Sequence, residues 1–317
     1  MNSRLNTAKD DYDMVKARDV KLDLNEKTVQ MHWFDRNPWM SHAINAMFLV
    51  IPAGERWVMN SARDLLPTLK DPELVKATKA FIRQEAMHSR EHDRMNKVLI
   101  KYGVPYNEIN KSFSKAENLI RKHTSTEFDA ACAAAFEHFT AILSEEFLKV
   151  PEVMETIDPE VRTLAIWHMI EEIEHKAVSF DIFNAAVQNP VRAYGLRVGG
   201  MLASIGILFP LYVFNMLRLL AHDGELTNIR SFLSYINKCY LSPGFIRKIM
   251  MAVPPYFKPS FHPWDHDSRD MIAVWQQVYD ETGDAGKAAD ALLEWLKSNH
   301  KSNSQAKSYQ AEGTLPS

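Results

Sequence analysis

The stretch QEAMHSREH, residues 84–92, places two glutamates and two histidines in nine positions, and their spacing supports two different chemistries. In Glu85-x-x-His88 an i, i+3 pair on a helix projects a carboxylate and an imidazole from one face, which is half of a carboxylate-bridged dinuclear metal site. His88-Ser89-Arg90-Glu91-His92 also satisfies HxxEH, in which two histidines one turn apart hold a single zinc and the glutamate serves as base. That second reading needs a third ligand, and Glu171 or Glu172, some eighty residues on, would have to supply it. A second i, i+3 pair, Glu172-x-x-His175, and two glutamates inside apolar runs, Glu55 and Glu137, complete an E…ExxH…E…ExxH pattern. Six such side chains offer four negative charges and two neutral imidazoles, so two divalent cations would neutralise them. Four carboxylates in a core without cations would be prohibitively costly to desolvate. The dinuclear reading gives Glu55, Glu85, Glu137 and His175 a role, and the zinc reading leaves all four idle.

Neighbouring polar residues extend the pattern. His168 lies one turn before Glu172 and two before His175, on their face, and is expected either as a ligand or as a hydrogen-bond donor to one. His92, one turn after His88, is expected to support a ligand. Glu171 is close enough in angle to exchange roles with Glu172, whereas Glu174 points away and His138 faces elsewhere than Glu137.

Helices must carry these residues. Gly is sparse at 11, and the long stretches are rich in Ala, Leu, Met, Glu and Lys, which predicts an all-α protein. Asn37-Pro38, Asp71-Pro72, Asp158-Pro159 and Asn189-Pro190 each offer an N-cap followed by proline at the first helical position. They predict helices at 38–66, 72–102, 125–150 and 159–188, with a small helix near 114–123 in a long crossover. Two hairpins joined by one crossover form a ferritin-like four-helix bundle, here with additional C-terminal helices near 227–240, 268–281 and 285–298. The organisation expected is a polar arm at 1–30, the bundle at 31–190, an apolar helix at 191–225, a helical extension at 226–298 and a disordered tail at 299–317.

The doubled motif resembles the ferritin-like non-haem di-iron carboxylate superfamily. More narrowly, NPWMSHAINAMFLVIPAGERW, FIRQEAMHSREH, WHMIEEIEHKAVSFD and PSFHPWDHD resemble a bacterial family described as predicted metal-dependent hydrolases, over roughly residues 30–280. A histidine seven residues before the ExxH histidine, as His168 is, resembles di-iron arylamine N-oxygenases, where it is a third imidazole ligand. The superfamily resemblance implies two iron ions (or manganese, or one of each), O₂ activation, an external electron donor and oxidation of an organic substrate. The alternative expectation is a metal-dependent hydrolase that activates water at a dinuclear site or at the HxxEH zinc.

Composition bounds the rest. A net charge of −3 gives no basic field, so nucleic acid is not an expected partner. The two cysteines, Cys132 and Cys239, form no CxxC, and a polar N-terminus does not read as a signal peptide, so a reducing, cytoplasmic location is expected, either free or associated with the cytoplasmic face of the inner membrane through residues 198–217. Residues 198–217 carry no charge and, at 1.5 Å per residue, reach about 30 Å, enough to cross a bilayer, lie in its plane or cover the bundle as a fifth helix. Gly195, Gly199 and Ala203 form a small-residue stripe on it. Around Glu137, Ala130, Ala133, Ala134, Ala141 and Ser144 predict either close helix packing or a cavity. The FHPWDHD loop is expected to clasp the fold, with His262, Asp265, His266 and Asp267 as a second metal site in the other reading.

Overall fold

The computed structural model describes residues 11–312, and side chains as far as 299. Among these the protein is all-α, with an isolated bridge between Phe34 and Ile157.

Three of the four Asx-Pro pairs cap as expected. Asn37 Oδ1 accepts the Met40 N–H and opens α1 (Pro38–Phe48). Helix α2 (Ile51–Leu65) follows after a break at Leu49–Val50, in place of the one continuous helix expected. Pro52 explains the break, because it lacks an N–H and its ring would collide with the carbonyl of residue 48. Asp71 Oδ1 accepts the Glu73 N–H and opens α3 (Pro72–Lys101). The crossover holds α4 (Tyr106–His123), longer than the small helix expected. Ser125 Oγ accepts the Phe128 N–H and starts α5 (Thr126–Leu148).

Helix α6 (Pro159–His175) also starts at its proline, but Asp158 does not cap it. Its carboxylate instead accepts the Gln30 N–H and pairs with Arg36. After Lys176 the chain resumes as α7 (Val178–Ala186), so the expected 159–188 helix is two. Asn189 Oδ1 accepts the Val191 and Arg192 N–H groups and opens α8 (Pro190–His222). Then come α9 (Ile229–Ile236), α10 (Phe245–Ala252), α11 (Arg269–Thr282) and α12 (Ala285–Glu312). Helix α12 runs past 299, in place of the disordered tail expected, since no glycine or proline interrupts residues 287–312. Residues 313–317, the end of that tail, lie outside the described residues, as do residues 1–10 of the arm.

Helices α2, α3, α6–α7 and α5 contact one another in a closed ring. Helix α5 is its hub and also touches α8 and α10. Its run from Ala130 to Ala135 is buried throughout, because methyl-sized side chains let neighbours approach from every direction. Close packing, and not a cavity, is what the small residues produce. Gly200 of α8 makes the tightest approach: a Cβ there would lie 2.7 Å from the Ala131 carbonyl carbon. Ser204 Oγ, one turn on, donates to the Cys132 carbonyl. Gly200 and Ser204 thus make the closest contact, while of the expected 195–199–203 stripe Gly199 approaches the Phe128 ring and Ala203 packs against the cluster that includes Cys132, and a Cβ on Gly195 would meet nothing within 4 Å. The segment before α1 is not a loose arm where described: Val15, Val20, Leu22 and Val29 are buried, and Arg18 with them.

Candidate metal centre

Helices α2, α3, α5 and α6 turn their acidic and imidazole side chains toward the middle of the ring. Glu55 comes from α2, Glu85 and His88 from α3, Glu137 from α5, and His168, Glu172 and His175 from α6; all seven are buried. Their ligand atoms fall into three groups, Glu55–His88–His168, Glu85–His88–Glu172 and Glu85–Glu137–His175, each within 4.8 Å. Shared members merge these into one cluster with two ends. Glu172 touches both ends, with Oε1 2.8 Å from His168 Nε2 and Oε2 3.5 Å from His175 Nε2. Glu85 Oε1 does the same, 3.7 Å from His88 Nδ1 and 3.2 Å from His175 Nε2. Glu137 Oε2 lies 3.1 Å from His175 Nε2.

The imidazoles are held by groups outside the cluster. Gln84 Nε2 donates to Glu174 Oε2 at 2.8 Å, which orients its Oε1 toward His175 Nδ1 at 3.1 Å. Nδ1 therefore carries a proton and Nε2 faces the carboxylates. Likewise His88 Nε2 lies 3.1 Å from Glu171 Oε2, leaving Nδ1 toward Glu85 and Glu172. Both arms return to Arg18, whose guanidinium meets Glu171 at 3.0 Å and Glu174 at 2.9 Å. Thr140 Oγ1 donates to Glu172. His92 stands behind His168, Nε2 to Nδ1 at 2.6 Å, with the Phe48 ring against it.

The donor set fits cations. Both oxygens of Glu55 and of Glu85, Glu137 Oε2, His88 Nδ1 and His175 Nε2 are buried without a hydrogen-bond partner. Such groups are costly to bury unless something positive meets them. Burial, reinforced by neighbouring carboxylates, pushes Glu55 and Glu85 well above the usual carboxylate range and Glu137 up to about 7. Burial acts on Glu172 too, but His175 and His168 outweigh it and hold that carboxyl well down. For His175 the order is reversed: burial disfavours its charge, and Glu172 and Glu85 overcome it.

Several sequence-based expectations separate here. The seven candidate ligands come together, and Glu171 and His92 sit directly behind them. Glu174, expected to point away, does so, but into a buried network. Glu91 is turned away, its oxygens held by Arg90 at 2.7 Å and Arg94 at 2.6 Å, so the HxxEH reading lacks its base. His138 stacks on Tyr256 at 4.7 Å, and burial lowers it to about 3. In the FHPWDHD loop, Lys176 Nζ donates to the His266 carbonyl and lies over the Trp264 ring, and Ser268 and His266 reach Glu145. That is a clasp, as the first of its two readings expects. Sequence reasoning does not reach Arg18 or Gln84; the signal for Arg18 is the two surplus glutamates on α6, which need a cation of their own. His32, His42 and Asp223 also lie within 4.8 Å of one another. There both Nε2 atoms already meet Asp223 Oδ2, at 2.7 and 3.0 Å, so the group is a satisfied hydrogen-bonded tie.

Residues 16–267 match the model of a family described as predicted metal-dependent hydrolase, and the chain belongs to that family. No curated protein and no solved structure matches. The family assignment overturns the expectation of an O₂-activating di-iron oxidase or oxygenase with an external electron donor, and agrees with the hydrolytic alternative. The physical reason for the error is plain: carboxylates and imidazoles spaced for two cations serve water activation and O₂ activation alike.

Proposed function

We propose that this member of the predicted metal-dependent hydrolase family cleaves an ester or phosphoester by water at a dinuclear centre. The ligands proposed are Glu55, Glu85, His88, Glu137, His168, Glu172 and His175, on a ferritin-like arrangement of four helices. The observation that carries this reading is the merged cluster, whose unpartnered oxygens and nitrogens converge from both helical hairpins. Glu85 and Glu172, which touch both ends, are the proposed shared ligands. Two divalent ions bound there would lower the pKa of a water and polarise the bond to be broken. An imidazole and carboxylate set suits iron, manganese or zinc, and hydrolysis does not require a redox-active one.

The chain's own residues prepare that chemistry. Gln84 and Glu171 set which nitrogen of His175 and His88 faces inward, and Thr140 orients Glu172. Substrate would approach on the His168 side, since that side chain is 10% exposed and Glu172, the next, only 4%. His92 keeps the His168 ring oriented at this edge.

The deciding experiment is metal analysis of protein purified anaerobically, followed by assay of ester and phosphoester substrates with and without oxygen. About two divalent ions per chain, and turnover abolished by chelator yet indifferent to oxygen, are expected. One ion per chain, or no hydrolysis by fully loaded protein, would overturn the reading.

A further inference from the structure

Helix α8 is the one described helix long and apolar enough to cross a membrane. It is held down, however, along one whole side. Ala193, Arg197, Gly200, Met201 and Ser204 are buried against α5 and the loop at 258–261, and Met216, Leu219 and Leu220 are buried in the main core. A helix anchored near both ends on its own bundle does not leave to span a bilayer. Its other side is nonetheless apolar and open: Leu202, Ile205, Phe209, Phe214 and Leu217 are exposed, the two phenylalanines by 63% and 59%. From Leu202 to Leu217, at 1.5 Å per residue, the helix presents this side over about 22 Å.

The patch continues onto the next elements. Tyr212 neighbours Tyr235 and Tyr240, at the end of α9. Ile229, Leu233, Leu241, Met250 and Met251, on α9, the turn after it and α10, are exposed large apolar side chains. Monomeric soluble proteins rarely leave this many large apolar side chains uncovered on successive elements.

Charge identifies what covers it. From residue 182 to 264 there are eight Lys and Arg against two acidic residues, Asp223 and Glu225, in a chain whose net charge is −3. Arg192, Arg218 and Lys238 are paired with Glu127, Glu108 and Asp35. Arg230, Arg247 and Lys258 are exposed and Lys248 is half-buried, and none forms an ion pair among the described residues. These cations sit in the same helices and turns as Ile229, Met250 and Met251. A second copy of the chain docked by a twofold axis would set like charge against like. We propose that α8, α9 and α10 form a surface that seats this protein in the plane of an anionic lipid bilayer, with its apolar side chains at the acyl boundary and Arg230, Arg247, Lys248 and Lys258 among the headgroups.

Flotation of the full chain with vesicles tests this. Vesicles containing phosphatidylglycerol should carry the protein, and pure phosphatidylcholine vesicles should carry far less. Arg247→Glu with Lys248→Glu should weaken partitioning to the anionic vesicles by roughly tenfold or more, as should raising salt toward about 1 M. Phe209→Ser with Phe214→Ser should abolish it, with helicity and metal content unchanged as evidence of folding. No flotation of the wild type on anionic vesicles would overturn the proposal. So would binding to both vesicle types that ignores the charge reversals, or a wild-type dimer that Phe209→Ser and Phe214→Ser dissolve without any vesicle binding.

Discussion

Two buried acidic sites share helix α5, two turns apart, and behave in opposite ways. Glu137 meets other carboxylates and a histidine, keeps an unpartnered oxygen, and is pushed up to about 7 by burial and by Glu172. Glu145 is nearly as buried, but His266, Lys176 and Ser268 surround it, and despite burial its carboxyl is held down at about 2. The contrast repeats at the end of α6, where His175 faces the first site and Lys176 the second. A buried carboxylate that carries its own cation is part of the framework. One that meets only other carboxylates and imidazoles demands a cation from outside.

Removing a carboxylate from each site should break the comparison most sharply. Glu85→Ala takes away the residue that touches both ends of the cluster, and metal analysis should find the loss of both ions from a chain that still folds. Glu145→Ala should do the reverse: metal content stays, while denaturant unfolding shows a loss of about 3–5 kcal/mol because Lys176 is left buried and unpaired. Retention of two ions by Glu85→Ala, or loss of them in Glu145→Ala, would dissolve the distinction. Gln84→Ala and Glu171→Gln probe the supports, and competition with a chelator should report affinities lower by about 10–100-fold at unchanged stoichiometry. Glu91→Ala should cost least, about 1 kcal/mol of stability and no activity, since its two arginine partners are over a third exposed. Loss of activity there would restore the HxxEH zinc as the centre.

Acid titration separates the sites by sign. Glu145, depressed in the folded state, contributes stability that is present above pH 4.5 and lost as pH falls toward 2. Glu137, raised, binds its proton more tightly when folded, so in metal-free protein its contribution to stability falls as pH rises from 4.5 to about 7. Bound metal requires the ionised form, so the metal-dependent gain in melting temperature should grow over that same interval. A gain that is flat with pH would argue against carboxylate ligation.

Much of this architecture is legible in the amino-acid sequence. Capping by Asn37, Asp71 and Asn189 follows from residue type, because Asx side chains reach the N–H groups two or three residues on and proline suits the first turn. The clustering of Glu55, Glu85, His88, Glu137, Glu172 and His175 follows from helical periodicity. What escapes depends on distance along the chain. Arg18 lies 153 residues from Glu171, and no local period links them. Gln84 sits beside Glu85, yet its role appears only when α6 arrives opposite it. Pro52 is in plain view, and the break before it is hidden by the hydrophobic run on both sides, which reads as one helix. The reaction class is least legible, since the ligand set is common to two chemistries.

The crossed supports of the two histidines carry one more consequence. His175, on the second hairpin, takes its orientation from Gln84 on the first, and His88, on the first, takes its orientation from Glu171 on the second. Neither hairpin alone can present a correctly set imidazole, and Arg18, which braces both, comes from a third stretch of chain. If the proposed centre binds ions, it would thereby act as a check on assembly: its imidazoles are set to receive them only once three distant segments have docked, and a nascent or half-folded chain would offer them little hold.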